Sequence, residues 1–177
     1  MDYIPICIIQ YIFDFMDLIT QINFRKTCKK YYKKLYIKYL IEEPYIYNIT
    51  DSVLQQKCYI NLIELNVSSN KNIKNIQHLN NLNKLNAHGD CGISDDLHTS
   101  FEVCSPITLK GNENIKSLNL IELRAWDNNK IKNNQHMNKL KILDCYGNCG
   151  ISDDNIKSLN LIALYAKHNN KITNRYI

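Results

Sequence analysis

The sequence predicts an α+β repeat protein, in which a short helical module precedes a solenoid that contributes one parallel strand per turn. Three observations carry this. A frame of apolar and polar residues recurs between Leu62 and Ile172, the apolar residues before about position 41 step instead by three or four, and Pro44 lies between the two regimes. The first copy of the frame is Leu62, Leu65, Val67, Asn70, Ile73, and the second is Leu82, Leu85, Ala87, Asp90, Ile93. It returns at Leu120, Leu123, Ala125, Asn128, Ile131, at Leu140, Leu143, Cys145, Asn148, Ile151, and at Leu161, Leu164, Ala166, Asn169, Ile172. Five copies in one internal register argue against coincidence.

The N-terminal residues read as helices. Pro5 suits a first helical turn, where its missing N–H is not needed, and Ile8, Ile9, Ile12 and Phe13, then Leu18, Ile22 and Phe24, have helical spacing. A second run, Phe24, Cys28, Tyr31, Leu35 and Tyr39, falls on one helical face, with Arg25, Lys26, Lys29, Lys30, Lys33, Lys34 and Lys38 around the rest. Pro44 ends the region. The lysine run reads first as a solvated face, or one complementary to an acidic protein. With tyrosines interleaved it could also face nucleic acid, but no RNA or DNA motif accompanies it, and none is expected as a partner.

The order Ile4-Pro5, Ile12-Phe13, Asp17-Leu18, Thr27-Cys28-Lys29-Lys30-Tyr31 resembles the F-box. That resemblance implies a three-helix module over residues 1–44 that docks onto the Skp adaptor of a cullin-RING ubiquitin ligase, with Pro5, Ile8, Ile9, Ile12, Phe13, Leu18, Phe24 and Cys28 as adaptor-binding residues. The recurring L-x2-L-x-[V/A/C]-x2-[N/D]-x2-I frame resembles the leucine-rich repeat, and the two modules together resemble F-box and repeat proteins, including those of giant amoeba-infecting viruses. On this reading residues 45–61 are a linker and cap, and 62–177 the repeat solenoid. The implied role is that of a non-catalytic subunit selecting a target protein for an SCF-type ligase. The alternative is a free-standing interaction module.

Within each unit, Leu-x-[V/A/C] reads as a short strand with its two apolar residues turned inward. The Asn that follows is expected to satisfy buried backbone groups with its side-chain amide, and Asp90, acceptor-only when ionised, to alter the turn in its unit. Units start 20 or 21 residues apart, except for the 38 residues between Leu82 and Leu120. That spacing is too short for full helices on the return, so turns or short 3-10 segments are expected there. In the long gap Cys104, Ile107, Leu109, Asn112 and Ile115 fit the frame, which favours a shortened sixth repeat over 104–119. Leu62–Asp96 and Leu120–Asp154 align without gaps, as a duplicated two-unit segment would.

Outward strand residues should line the concave sheet, where partners bind such folds. One column is Asn66, Asn86, Arg124, Asp144, Tyr165, and the next is Ser68, His88, Trp126, Tyr146, Lys167. From these, His88, Arg124, Trp126, Asp144, Tyr146, Tyr165 and Lys167 are the candidate target-binding residues, since aromatic and arginine clusters with a polar rim make binding hot spots. The alternative for Trp126 is to fold down over a loop.

A net charge of +5, from 22 Lys and Arg against 17 Asp and Glu, is too mild to imply a polyanionic partner by itself. Seven cysteines at irregular spacing do not form a disulfide framework and suit a reducing, intracellular and cytoplasmic setting, the host cytoplasm for a viral protein. No signal peptide or membrane span is read at the N-terminus, whose apolar run is broken by Pro5, Gln10 and Asp14. No phosphate-binding loop, HExxH or Ser-His-Asp arrangement is present. Cys145, Cys149 and His136 match no common zinc spacing. The pairs Asp95-Asp96 and Asp153-Asp154 read as turn formers rather than catalytic carboxylates. No enzymatic activity, metal or cofactor is expected.

Overall fold

Each middle leucine of the frame becomes the centre of a three-residue strand. The computed structural model describes residues 4–27, 31, 33–42, 45–95, 115 and 117–173. Strands β2 (Glu64–Asn66), β3 (Lys84–Asn86), β4 (Glu122–Arg124), β5 (Ile142–Asp144) and β6 (Ala163–Tyr165) are centred on Leu65, Leu85, Leu123, Leu143 and Leu164. A further strand, β1 (Tyr39–Leu40), precedes them. All six pair in parallel and in chain order, Leu40 beside Leu65 and the five frame leucines side by side.

This register stacks like on like. Leu65, Leu85, Leu123 and Leu143 are buried, as are Val67, Ala87, Ala125 and Cys145 two residues on. Ile73, Ile93, Ile131, Ile151 and Ile172 close the core from the far side. Burial weakens at β6, where Leu164 and Ala166 are only partly covered because β6 is the last strand of the sheet among the described residues. A fully buried leucine contributes about 1.5–3 kcal/mol by leaving water, so the frame residues are the main source of cohesion.

After each of β2 to β6 the backbone turns through the left-handed region, at Ser69, Gly89, Asp127, Gly147 and His168, with φ between 54° and 68°. Beyond this turn the odd and even units differ. In the first, third and fifth, Asn70, Asn128 and Asn169 are buried and their amides point inward. Asn128 Nδ2 donates to the carbonyls of Ala87 (2.8 Å) and Ile93 (3.3 Å), and Asn169 Nδ2 to those of Cys145 (3.1 Å) and Ile151 (3.0 Å). Asn70 does the same toward Ile46 and Ile49. Each Oδ1 accepts the backbone N–H two residues on. In the second and fourth units Asp90 and Asn148 are exposed, and the next residue, Cys91 or Cys149, takes the buried place. The altered turn expected at Asp90 is present, and the expectation that Asn148 joins the buried amides is corrected. Gly92 and Gly150 explain the difference. Their backbones lie so close to the preceding unit that an added Cβ would stand 2.4 Å from the Ile73 carbonyl oxygen and 2.3 Å from that of Ile131.

Asp51, Asp95 and Asp153 knit the returns together. Asp51 accepts the N–H groups of Lys74 and Asn75, Asp95 those of Lys132 and Asn133, and Asp153 that of Thr173. Between β2 and β6 the only helix among the described residues is α4 (Asp153–Ile156), opened by a Ser152–Asn155 capping box. β3 pairs directly with β4, so a 104–119 repeat places no strand between them. Apart from Ile115 and residues 117–119, that segment lies outside the described residues.

The N-terminal part departs from the three-helix expectation. Helices α1 (Ile6–Asp14) and α2 (Leu18–Thr27) form, but the helical run anticipated through Leu35 and Tyr39 does not. Residues 33–38 form no helix, with Leu35 and Ile37 buried, and lead into β1. The physical reason is pairing: Ile63 and Glu64 N–H bond the Lys38 carbonyl, and β1 covers the edge of β2. Gln10 fixes the two parts together, its Nε2 donating to Tyr36 O (2.9 Å) and its Oε1 accepting Tyr36 N–H (3.0 Å). The Lys38–Asp14 ion pair lies alongside. Residues 45–59 form short helical turns, Tyr45–Asn48, α3 (Asp51–Leu54) and Lys57–Tyr59, that bury Ile46, Leu54 and Tyr59. The Ile46 and Ile49 carbonyls there receive the Asn70 amide, as an even unit would receive the next asparagine.

Candidate functional site

Two surfaces carry side chains that the fold itself does not use. The first is the outer side of α1 and the start of α2. Pro5 caps α1, its carbonyl accepting the N–H groups of Ile8 and Ile9, and Asp17 caps α2 through Thr20 N–H (2.9 Å) and Oγ (2.6 Å). Gln21, buried, donates to the carbonyls of Phe13 and Met16 and so ties α2 to the end of α1. The Asp17 carboxylate thus satisfies an N–H of the first turn of α2 that has no partner within the helix. Held this way, α1 turns Ile9 and Phe13 into the core and leaves Ile8 (48%), Ile12 (51%) and Phe15 (76%) exposed, with Ile4, Tyr11 and Ile19 beside them. A contiguous exposed apolar stripe marks an interaction surface.

Residues 1–39 match the F-box domain. No curated protein is similar to the chain. The F-box match ends at Tyr39, where β1 begins. Of the F-box residues singled out from the sequence, Pro5, Ile8 and Ile12 are exposed, whereas Ile9, Phe13 and Leu18 are buried. Phe24 is half-buried against Phe13, ring centroids 6.2 Å apart, and Cys28 lies outside the described residues. The stripe also includes Tyr11, Phe15 and Ile19, which the motif does not contain; the helical step from Ile8 and Ile12 is the signal that could have found Tyr11 and Phe15, whereas Ile19 belongs to α2 and joins them only through the fold.

The second surface is the outward face of the sheet. The strand register brings Asn66, Asn86, Arg124, Asp144 and Tyr165 into one row, as read from the sequence. Two residues on, Ser68 is buried, while His88 stacks on Trp126 at 3.8 Å and 15°, and Tyr146 meets His168 edge-on at 5.3 Å. Trp126 is half-buried and stays on this face instead of folding over a loop. Trp126, Asp144, Tyr146, Tyr165 and Lys167 line a cleft of 740 Å³ with Ile162, Leu164 and Ala166.

Toward the N-terminal end the face is polar and internally paired. Glu122, buried, accepts Arg124 Nε and Nη2 on the same oxygen at 2.8 Å and lies 3.6 Å from Lys84 Nζ. Arg124 is thereby drawn away from Asp144, its neighbour in the register. The row Glu64, Lys84, Glu122, Ile142, Ala163 was not singled out from the sequence, although two-residue strand alternation from the Asn66 row leads directly to it.

Within the gapless duplication the core residues Leu62, Leu65 and Ile73 reappear as Leu120, Leu123 and Ile131, but the sheet-face residues Asn66, Ser68, Asn86 and His88 become Arg124, Trp126, Asp144 and Tyr146. One scaffold thus presents two chemistries. The buried cysteines take no part: burial pushes the Cys145 thiol up to about 12 and that of Cys149 to about 11, far from a reactive thiolate. Among the described residues no group of His, Cys, Asp and Glu side chains is placed to hold a metal, and no helix is long and apolar enough to cross a membrane.

Proposed function

We propose that this chain is a substrate-recognition subunit of an SCF-type ubiquitin ligase, working in the cytoplasm. The F-box end docks the Skp adaptor, leucine-rich repeats present the sheet face to a target protein, and the transfer chemistry belongs to the partner enzymes. The observation that carries the reading is the F-box match over residues 1–39 combined with an apolar stripe on α1 that the fold leaves uncovered. The repeat reading is supported by the one-strand-per-unit parallel sheet and by the recurring Leu, Asn and Ile positions.

The test is co-purification with a Skp adaptor. Wild-type protein should retain the adaptor, and Ile8→Asp with Ile12→Asp should abolish retention while leaving circular dichroism and the melting midpoint unchanged, because both side chains are exposed. Retention by the double variant, or no retention by the wild type, removes the basis of the reading. Phe13 is unsuitable for the test, since its complete burial makes any polar substitution an unfolding experiment.

A second reading, a free-standing interaction module whose helices act as an end cap, is favoured by the continuity of the core from Phe13 and Leu18 through Ile37 to Leu65. It is the conclusion that remains if wild-type protein ignores the adaptor.

A further inference from the structure

The cleft at the β5–β6 end of the sheet face combines features that point to one class of guest. Three aromatic side chains, Trp126, Tyr146 and Tyr165, border it together with the carboxylate of Asp144. Asp144 forms no ion pair among the described residues. Among the described residues its carboxylate accepts one hydrogen bond, a long one of 3.3 Å from Tyr146 N–H. Arg124, opposite Asp144 in the register, directs its Nε and Nη2 to Glu122 instead. A carboxylate left without a cation in an aromatic cleft attracts a positive charge twice, by direct Coulomb force and by the negative faces of the rings. The remaining walls, Ile162, Leu164 and Ala166, are apolar and suit the methylene stem of a long basic side chain.

We infer that this cleft receives a lysine or arginine side chain projecting from the target protein, its charged head at Asp144 and its stem along Ile162 and Leu164. The inference rests on the proposal that the sheet face captures a target, and it names the chemistry of that target. At 740 Å³ the cleft exceeds one side chain and has room for flanking backbone as well. Among the described residues Lys167 is the only cation in the lining; it is exposed and forms no ion pair with Asp144, and its charge opposes that of a cationic guest.

The chain has a single tryptophan, and it stands in the cleft, so its fluorescence reports occupancy directly. The full chain is titrated with capped Gly-Lys-Gly, Gly-Arg-Gly and Gly-norleucine-Gly peptides, and with methylammonium alone. Saturable changes are expected with the two basic peptides in the millimolar range, with the norleucine peptide and methylammonium about tenfold weaker. Asp144→Asn should weaken the basic peptides about tenfold and leave the norleucine peptide unaffected. The variant keeps the oxygen that accepts Tyr146 N–H, so the fold is retained. Lys167→Ala should strengthen the basic peptides.

Equal binding of norleucine, indifference to Asp144→Asn, or no response to any peptide up to about 10 mM overturns the inference. Methylammonium binding as well as the peptides would assign the cleft to free organic cations and likewise overturn the target reading. The adaptor experiment reads α1 and this one reads β5–β6, so failure of either is told apart from failure of the other.

Discussion

Replacing Asn134 with isoleucine should stabilise the protein. Asn134 is fully buried, with 0% of its surface exposed, yet among the described residues neither its Nδ2 nor its Oδ1 has a hydrogen-bond partner. In the gapless internal alignment it corresponds to Ile76, which is equally buried. The scaffold therefore already accepts isoleucine at this place in its other copy. A buried amide that gives up water without finding a partner costs about 1–3 kcal/mol, and removing it recovers that amount while adding apolar burial. For a chain of this size, about 2–4 °C follows from each kcal/mol, so the melting midpoint should rise by about 2–12 °C. Urea unfolding should show a higher midpoint at an unchanged slope, which separates a gain in stability from a change in compactness. The reciprocal Ile76→Asn, creating a second such amide and losing the isoleucine, should cost about 3 kcal/mol or more. A midpoint that falls or stays put in Asn134→Ile, with Asn134→Val behaving the same way, would refute the reasoning: the amide would then be satisfied in solution.

Gly150→Ala would put a Cβ 2.3 Å from the Ile131 carbonyl oxygen and 2.7 Å from that of Asn129, backbone atoms that cannot rotate aside, and should cost about 2–3 kcal/mol by thermal melting. Asn128→Asp would turn a donor facing the carbonyls of Ala87 and Ile93 into a buried carboxylate facing them; a loss of about 3–5 kcal/mol is expected at neutral pH, shrinking under acid as the carboxyl is protonated. In the wild type, Lys130 and then Lys71 hold the exposed Asp90 carboxyl down to about 2. Because that pKa is depressed in the folded state, the associated stability is present above the ordinary carboxylate value near 4 and is lost as pH falls toward about 2. An NMR titration of Asp90 should show the low midpoint, and Lys130→Ala should return it toward the ordinary value; an unmoved midpoint would contradict the assignment.

The repeat frame was legible because a three-residue strand and a fixed turn leave few ways to place L-x2-L-x-[V/A/C], and the same spacing written five times removes the helix or strand ambiguity of any single copy. β1 was not legible for the converse reason. Tyr31, Leu35 and Tyr39 happen to step by four, while the competing signals, alternation at Leu35 and Ile37 and the match of Ile37-x2-Leu40 to Leu62-x2-Leu65, occur once. Tertiary pairing with β2 decided between them. Asn148 shares its residue type with Asn70 but not its orientation, because the Cys149-Gly150 pair that follows brings the backbone against the previous unit and turns the thiol inward. On the sheet face the rows followed from register alone, whereas the turn of Arg124 toward Glu122 is a side-chain choice between two carboxylates within reach, which no spacing records. On α1 the motif named the residues, and only packing separated exposed Ile8 and Ile12 from buried Ile9 and Phe13.

The alternation of asparagine and cysteine turns sets the step by which such a chain can change length. Each buried amide looks back to carbonyls of an even unit or of the segment around Ile46, and each close glycine looks back to an odd one. Excising a single unit would bring like against like, leaving an amide without its acceptors or a glycine contact without its mate. Excising the 58 residues that separate equivalent positions of the two copies would instead rejoin matching surfaces and leave a four-stranded sheet. Growth and loss should therefore proceed in pairs, with the sheet-face residues of each pair free to diverge.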